Sequence, residues 1–293
     1  MTLKTFSSLV FTIFLSTFIF GQENAQDRLA NSLLWKIEGD SSVQPSYLFG
    51  TVHMIPEQDF LFTDSMNAVL SRCEQLILEI DINIPLIKQL QIAKKAFIGG
   101  GMEISDYMSE EEFRNFSAVM LDSLGVSNRT FKACLKMKPI YSMSLILNDL
   151  IKNPVQYEAY LNEKAIEIDI PVLGLESIDY QIAVIDSISM KEQIKMIRDQ
   201  LAASQTMYEQ MIEAYVNQDI TRLHNYIPEE STSIDFQNSL LTNRNKNWIP
   251  EISKNIKTKP SFIAVGAGHL AGETGVINLL KKAGFKVSPV NDF

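Results

Sequence analysis

Pro45-Ser46-Tyr47-Leu48-Phe49-Gly50-Thr51-Val52-His53 is a strand-like apolar run that breaks at a glycine and ends on a histidine three residues later. The same plan recurs near the far end of the chain, in Pro260-Ser261-Phe262-Ile263-Ala264-Val265-Gly266-Ala267-Gly268-His269. The chain has only 13 Gly and 3 His in 293 residues, from which chance supplies Gly-x-x-His about 0.1 times. Two copies after matching runs therefore form a pattern. Glycine at a strand end permits a tight turn and close backbone approach. A histidine three residues on then projects over the carboxyl end of the strand, where open α/β sheets hold ligands.

The flanking segments extend this reading. Ser32 to Glu38 partly alternates, as a half-buried strand should, and Gly39-Asp40-Ser41-Ser42 reads as a hairpin turn into the 46–50 strand. Asp64 to Cys73 has helical spacing, with Met66, Val69 and Leu70 on one face. Gln75-Leu76-Ile77-Leu78-Glu79-Ile80-Asp81 is nearly continuous and apolar, the signature of a strand covered on both faces. Near the end, Gly275 to Ala283 predicts a helix stopped by Gly284, and Phe285 to Val290 a closing strand. Two related strand–GxxH–helix–strand half-units, 45–82 and 260–290, thus predict an α/β fold with a central mixed β-sheet.

Between them, about 105–247, lies a mainly helical insertion. Ser109-Glu110-Glu111-Glu112 is a capping box opening a helix through Leu121. Phe131 to Leu150 and Asn153 to Ile166 continue the helical pattern, with Pro139 and Pro154 as breaks. Pro171 to Glu176 reads as one more short buried strand, and Ser189 to Tyr226 as one long helix or two shorter ones. The expectation is a single domain over 32–290 whose insertion walls a cleft.

Composition narrows the class. With 46% hydrophobic and 21% charged residues, the chain is neither collagen-like, nor low-complexity, nor a multi-span membrane protein. A net charge of −9 argues against nucleic acid or an anionic membrane surface as partner. Residues 1–21 carry one charge, Lys4, before the apolar run Leu9 to Phe20. That length suits a signal peptide and not a membrane span, so the protein is expected to be exported, periplasmic or secreted. Export permits disulfides, but Cys73 and Cys134 both lie in apolar stretches, where buried free thiols are as reasonable as a bridge.

His53 and His269 are the leading chemical candidates. Glu79 interrupts a buried strand near its carboxyl end, where a carboxylate is costly unless paired, hydrogen-bonded or bound to metal. Glu176 has the same character at the end of Val172-Leu173-Gly174-Leu175. Arg244 lies in a polar run and would by default face solvent. His224 has no ligand partner at helical spacing and reads as structural. The sequence lacks HExxH, GxSxG, GxGxxG, a P-loop and Cys-x-x-Cys. Two imidazoles with one or two strand-end carboxylates suffice to bind a divalent transition metal, whose bound water hydrolyses amides or esters. A spare carboxylate then serves as general base and an arginine steadies the oxyanion.

At these residues the chain resembles the TraB/PrgY/GumN family, which includes the Tiki metalloproteases. The resemblance is carried by Leu33-Leu34-Trp35-Lys36-Ile37, by Pro45 to His53, by Leu78-Glu79-Ile80-Asp81 and by Gly174-Leu175-Glu176. It continues through Arg244-Asn245, Val265 to Leu270 and Gly272 to Val287, and is nearest the bacterial GumN-type branch. It implies a fold akin to erythromycin esterase and ChaN-like proteins, with His53, His269 and Glu79 around the active site. In the Tiki branch it implies a manganese- or cobalt-dependent peptidase, with zinc also compatible. The resulting expectation is an exported metal-dependent hydrolase acting on a peptide or small molecule. His53, His269 and Glu79 would hold the metal, and Glu79, Glu176 and Arg244 would take part in catalysis. Two alternatives stand beside it: a non-catalytic protein that sequesters a peptide or small ligand, and an esterase-like hydrolase that needs no metal.

Overall fold

A computed structural model describes residues 29–39, 44–202, 205–225 and 238–290. The expected signal peptide, and most of the expected hairpin turn, fall outside these residues. Six strands form one mixed sheet in the order β6-β4-β7-β2-β1-β8: β1 is Leu34–Glu38, β2 Ser46–Thr51, β4 Gln75–Ile80, β6 Val172–Glu176, β7 Ser261–Gly266 and β8 Lys286–Pro289. β1 pairs antiparallel with both β2 and β8, while β2, β7, β4 and β6 run parallel.

The two half-units interleave, because β7 of the second lies between β2 and β4 of the first. Every residue of β2, β4 and β7 is buried, as expected of parallel strands covered on both faces. The β2–β7 register sets Gly50 opposite Val265 and Thr51 opposite Gly266, so both Gly-x-x-His loops leave the sheet side by side. A methyl group on Gly50 would lie 2.6 Å from Leu270 Cδ1 and 3.2 Å from Ala267 Cα. Glycine at this point is what lets the second loop pack against the first strand.

The helical region breaks at Pro139 as read and departs from expectation at Pro154. Phe131 to Leu150 falls into Asn128–Leu135 and Pro139–Leu150. Pro139 opens the second helix at its first position, where its missing N–H costs nothing. Pro154 does not break a helix but sits in a short strand, β5 (Pro154–Gln156), paired antiparallel with β3 (Met54–Pro56). Tyr157–Glu167 follows as a helix. Among the described residues, the 189–226 stretch holds helices Met190–Ala202, Gln205–Val216 and Ile220–Asn225. The capping box at Ser109 and Glu112 forms as read, opening helix Glu110–Ala118.

Two large apolar cores result among the described residues, beside a small cluster of Ile80, Ile92 and Ile182. One wraps the sheet and includes Trp35, Phe49, Phe262, Tyr215 and Trp248; the other lies within the insertion around Phe116, Met120, Tyr141 and Ile197. Cys73 belongs to the first and Cys134 to the second, and both are free thiols. Among the described residues no helix is long and apolar enough to cross a membrane.

Candidate active site

The carboxyl ends of four adjacent parallel strands deliver the chemistry to one place. Glu79 is the penultimate residue of β4 and Glu176 the last of β6, and the loops after β2 and β7 carry His53 and His269. A methyl group placed on Gly266 would lie 3.4 Å from Glu79 Oε1 and 3.6 Å from both His53 Nε2 and His269 Cδ2. The three side chains expected to form the site therefore converge on the bare face of a glycine.

Arg244 locks this cluster. The residue begins helix Asn243–Ile256, and its side chain is 1% exposed, contrary to the solvent-facing default for a polar run. Nη2 lies 2.6 Å from Glu79 Oε2 and 2.6 Å from Glu176 Oε1, and Nε donates to the two Glu176 oxygens at 2.9 and 3.1 Å. Nη1 donates to Leu240 O at 3.2 Å and faces His269 Nε2 at 3.3 Å. Trp248 covers the guanidinium at 4.7 Å, packs against the His269 ring at 4.6 Å with the two planes tilted by 44°, and donates from Nε1 to Glu176 Oε2. A planar fork serving two carboxylates is a task lysine cannot perform.

Each imidazole is oriented by an oxygen on its Nδ1 side. His53 Nδ1 is 2.9 Å from Glu158 Oε1, which also accepts from Thr51 Oγ1 at 3.0 Å. His269 Nδ1 is 2.5 Å from Asn245 Oδ1, and the Asn245 amide donates to Thr274 O at 2.9 Å. Donation from Nδ1 leaves Nε2 of each ring as its lone-pair nitrogen, the arrangement in which histidine ligates or accepts protons.

Burial and neighbours drive the charges apart. Burial works to raise the Glu79 pKa, but Arg244, the two histidines and the Gly266 N–H, donating at 2.8 Å, overcome it and hold the carboxyl at about 2. Burial, with Arg244 adding to it, lowers His269 to about 3 against the pull of Glu79. His53 moves the other way: burial opposes its charge, yet the Glu158 carboxylate raises it.

The cluster thus contains all five residues singled out by sequence, namely His53, Glu79, Glu176, Arg244 and His269. It also contains residues that sequence reading passed over. Glu158 lay unnoticed in a helical stretch. It adjoins the buried Tyr157, Leu161 and Ala165 stripe and is itself buried, and a carboxylate at the edge of such a stripe was the available signal. His224 lies outside the cluster but touches its frame, with Nδ1 3.0 Å from the Gly268 carbonyl. Among the described residues no group of three or more His, Cys, Asp or Glu side chains is arranged to hold a metal ion as it stands.

Comparison with known proteins leaves the individual activity open, since no curated protein and no solved structure matches the chain. The family is a different matter: Trp35, both Gly-x-x-His loops, Glu79, Glu176 and Arg244 all lie within a match over residues 33–289, and the chain belongs to the TraB/PrgY/gumN family.

Proposed function

We propose that the protein is an exported metal-dependent hydrolase, most simply a peptidase, with its active site at the carboxyl ends of β2, β4, β7 and β6. The observation that carries this is the convergence of His53, Glu79 and His269 on Gly266. Charge supports it. Glu79, Glu158 and Glu176 bring three formal negative charges against the one guanidinium of Arg244, so two remain before either histidine takes a proton, and a sheltered negative excess favours a cation. The donor set fits: two imidazoles with oriented Nδ1 atoms and one carboxylate suit manganese, cobalt or zinc. His53, His269 and Glu79 are the residues that would hold such an ion, which when bound supplies Lewis acidity and a water acidic enough to attack at neutral pH. The chain's own groups do the rest. Glu158 sets the His53 tautomer and Asn245 that of His269, Glu176 holds Arg244 in place, and Arg244 steadies negative charge developing on a carbonyl oxygen.

A second reading is favoured by the His53–Glu158 pair itself. A carboxylate on Nδ1 makes His53 a stronger base toward water, and Arg244 beside it provides charge stabilisation, so hydrolysis without a metal is chemically complete. Metal analysis and a broad peptide library, run with manganese or cobalt and again after chelation, separate the two. Hydrolysis lost on chelation, restored by metal and absent in His53→Ala and His269→Ala is the expected result. Hydrolysis that survives chelation selects the metal-free reading, and no hydrolysis under any condition removes both.

A further inference from the structure

A cavity of about 940 Å³ opens at the far end of the β3–β5 ribbon from His53. Its apolar surface comes from both sides of the insertion, including Met143, Ile146 and Leu147 on helix Pro139–Leu150 and Ile212 on helix Gln205–Val216. The volume is that of a ligand site, and its mouth is acidic: Glu57, Asp59, Glu209 and Glu213 line it with Lys152, Glu213 also pairing with Arg222 at 3.2 Å. Two polar atoms packed into this wall, Tyr208 Oη and Gln200 Oε1, are buried with no hydrogen-bond partner among the described residues. Such atoms are costly to leave unsatisfied, and a ligand carrying donors relieves them. Asp59 and Tyr208 line the same cavity, so an ammonium group there meets both a carboxylate and an acceptor oxygen.

We infer that this cavity is a second binding site, distinct from the hydrolytic cluster, which takes a peptide segment bearing a large apolar side chain next to a lysine or arginine. The apolar floor accepts the side chain, the acidic mouth the cation. Charge and shape choose the occupant: acidic side chains and apolar side chains share one lining, so a cation and a large apolar group on adjacent residues of one peptide fit it together. The β3–β5 ribbon links the two sites. Glu57 N donates to Asn153 O at the cavity end, and Tyr157 N to His53 O at the catalytic end.

The test uses the full chain and a fluorescein-labelled peptide of alternating leucine and lysine, read by anisotropy, with leucine–glutamate and serine–lysine peptides as controls. The His53→Ala chain is measured in parallel, so that binding is read whether or not hydrolysis exists. The inference expects saturable binding of the leucine–lysine peptide alone, weakened at least tenfold in Glu57→Lys/Glu209→Lys and in Val216→Asn. Val216 is exposed, so its substitution spares the core. It further expects about threefold weakening in Tyr208→Phe. Equal binding of the leucine–glutamate peptide, unchanged affinity in the rim variants, or binding of dodecyltrimethylammonium without the peptide would each overturn it.

Discussion

Arg244 Nη2 lies 2.6 Å from Glu79 Oε2 with the two side chains 1% and 7% exposed, an ion pair enclosed at the strand ends. The same nitrogen reaches Glu176. A buried pair of this kind gives little net stability compared with an apolar replacement, but removing one partner strands the other.

Arg244→Met should therefore strand two carboxylates and destabilise the protein by about 3–5 kcal/mol. Thermal unfolding followed by circular dichroism should show Tm lower by about 10 °C. Arg244→Lys keeps the charge but not the fork, and its Tm should fall between the two. A lysine variant as stable as the parent would mean that charge alone holds the site.

Acid should weaken the fold through the same cluster. In the unfolded chain Glu79 takes a proton below about 4.5 and His269 below about 6.5, whereas the folded protein delays these events to about 2 and about 3. The unfolded state thus binds more protons throughout that window, and stability falls as pH drops from about 6.5. His53, raised by Glu158, acts in the opposite sense and in another window, since its contribution is lost as pH rises through its folded pKa. Tm measured between pH 7 and 4 should decline steadily, with a shallower slope in His269→Asn. A flat profile contradicts the assignment of a neutral His269 beside an ionised Glu79.

Much of this site was legible because its signals were local. Gly-x-x-His after an apolar run states both a strand end and a projecting imidazole, and Glu79 stands out because a covered strand normally excludes charge. Arg244 was legible only through family resemblance, since its polar neighbours Asn243 and Asn245 mask a side chain that turns inward from a helix start. Glu158 was legible only as a carboxylate beside an apolar stripe: its role depends on β5 pairing with β3, which brings the next helix to His53, and no spacing in sequence encodes that contact. Pro154 misled for the same reason. A proline reads as a helix break, while its place in a short ribbon is set by its partner strand.

The cysteines offer a direct check on the two cores. Burial pushes both thiols up to about 12, and they lie in separate clusters. Native protein should react with neither equivalent of a thiol reagent at pH 8, and denatured, unreduced protein should react with two. Fewer than two in the denatured state would reveal a disulfide.

Glu158→Gln should expose what the carboxylate does for His53. The amide keeps the contact on Nδ1 but removes the charge that raises the His53 pKa, so the lower limb of the pH–rate profile should move to lower pH. Activity or metal affinity should drop about 10–100-fold, the usual cost of losing the group that orients a histidine. A purely structural role for Glu158 would change stability and leave the profile where it was.

His224 presents the last case, a histidine that sequence reading set aside as structural. Its Nδ1 sits 3.0 Å from the Gly268 carbonyl, one residue before His269. Its ring also packs so closely beneath Gly272, where φ is +86°, that a methyl group there would meet Nε2 at 2.4 Å. The ring thus braces both sides of the loop carrying His269, and a positioning role follows because the His269 ring has little freedom between Asn245 and Trp248. On a peptide substrate of the proposed hydrolase, His224→Ala should lower kcat about tenfold with KM nearly unchanged, since misplacing a reacting group affects the transition state more than binding. His224→Asn, which retains a donor for the carbonyl, should recover part of the loss. If alanine lowers Tm but leaves kcat intact, His224 braces the fold and not the reaction.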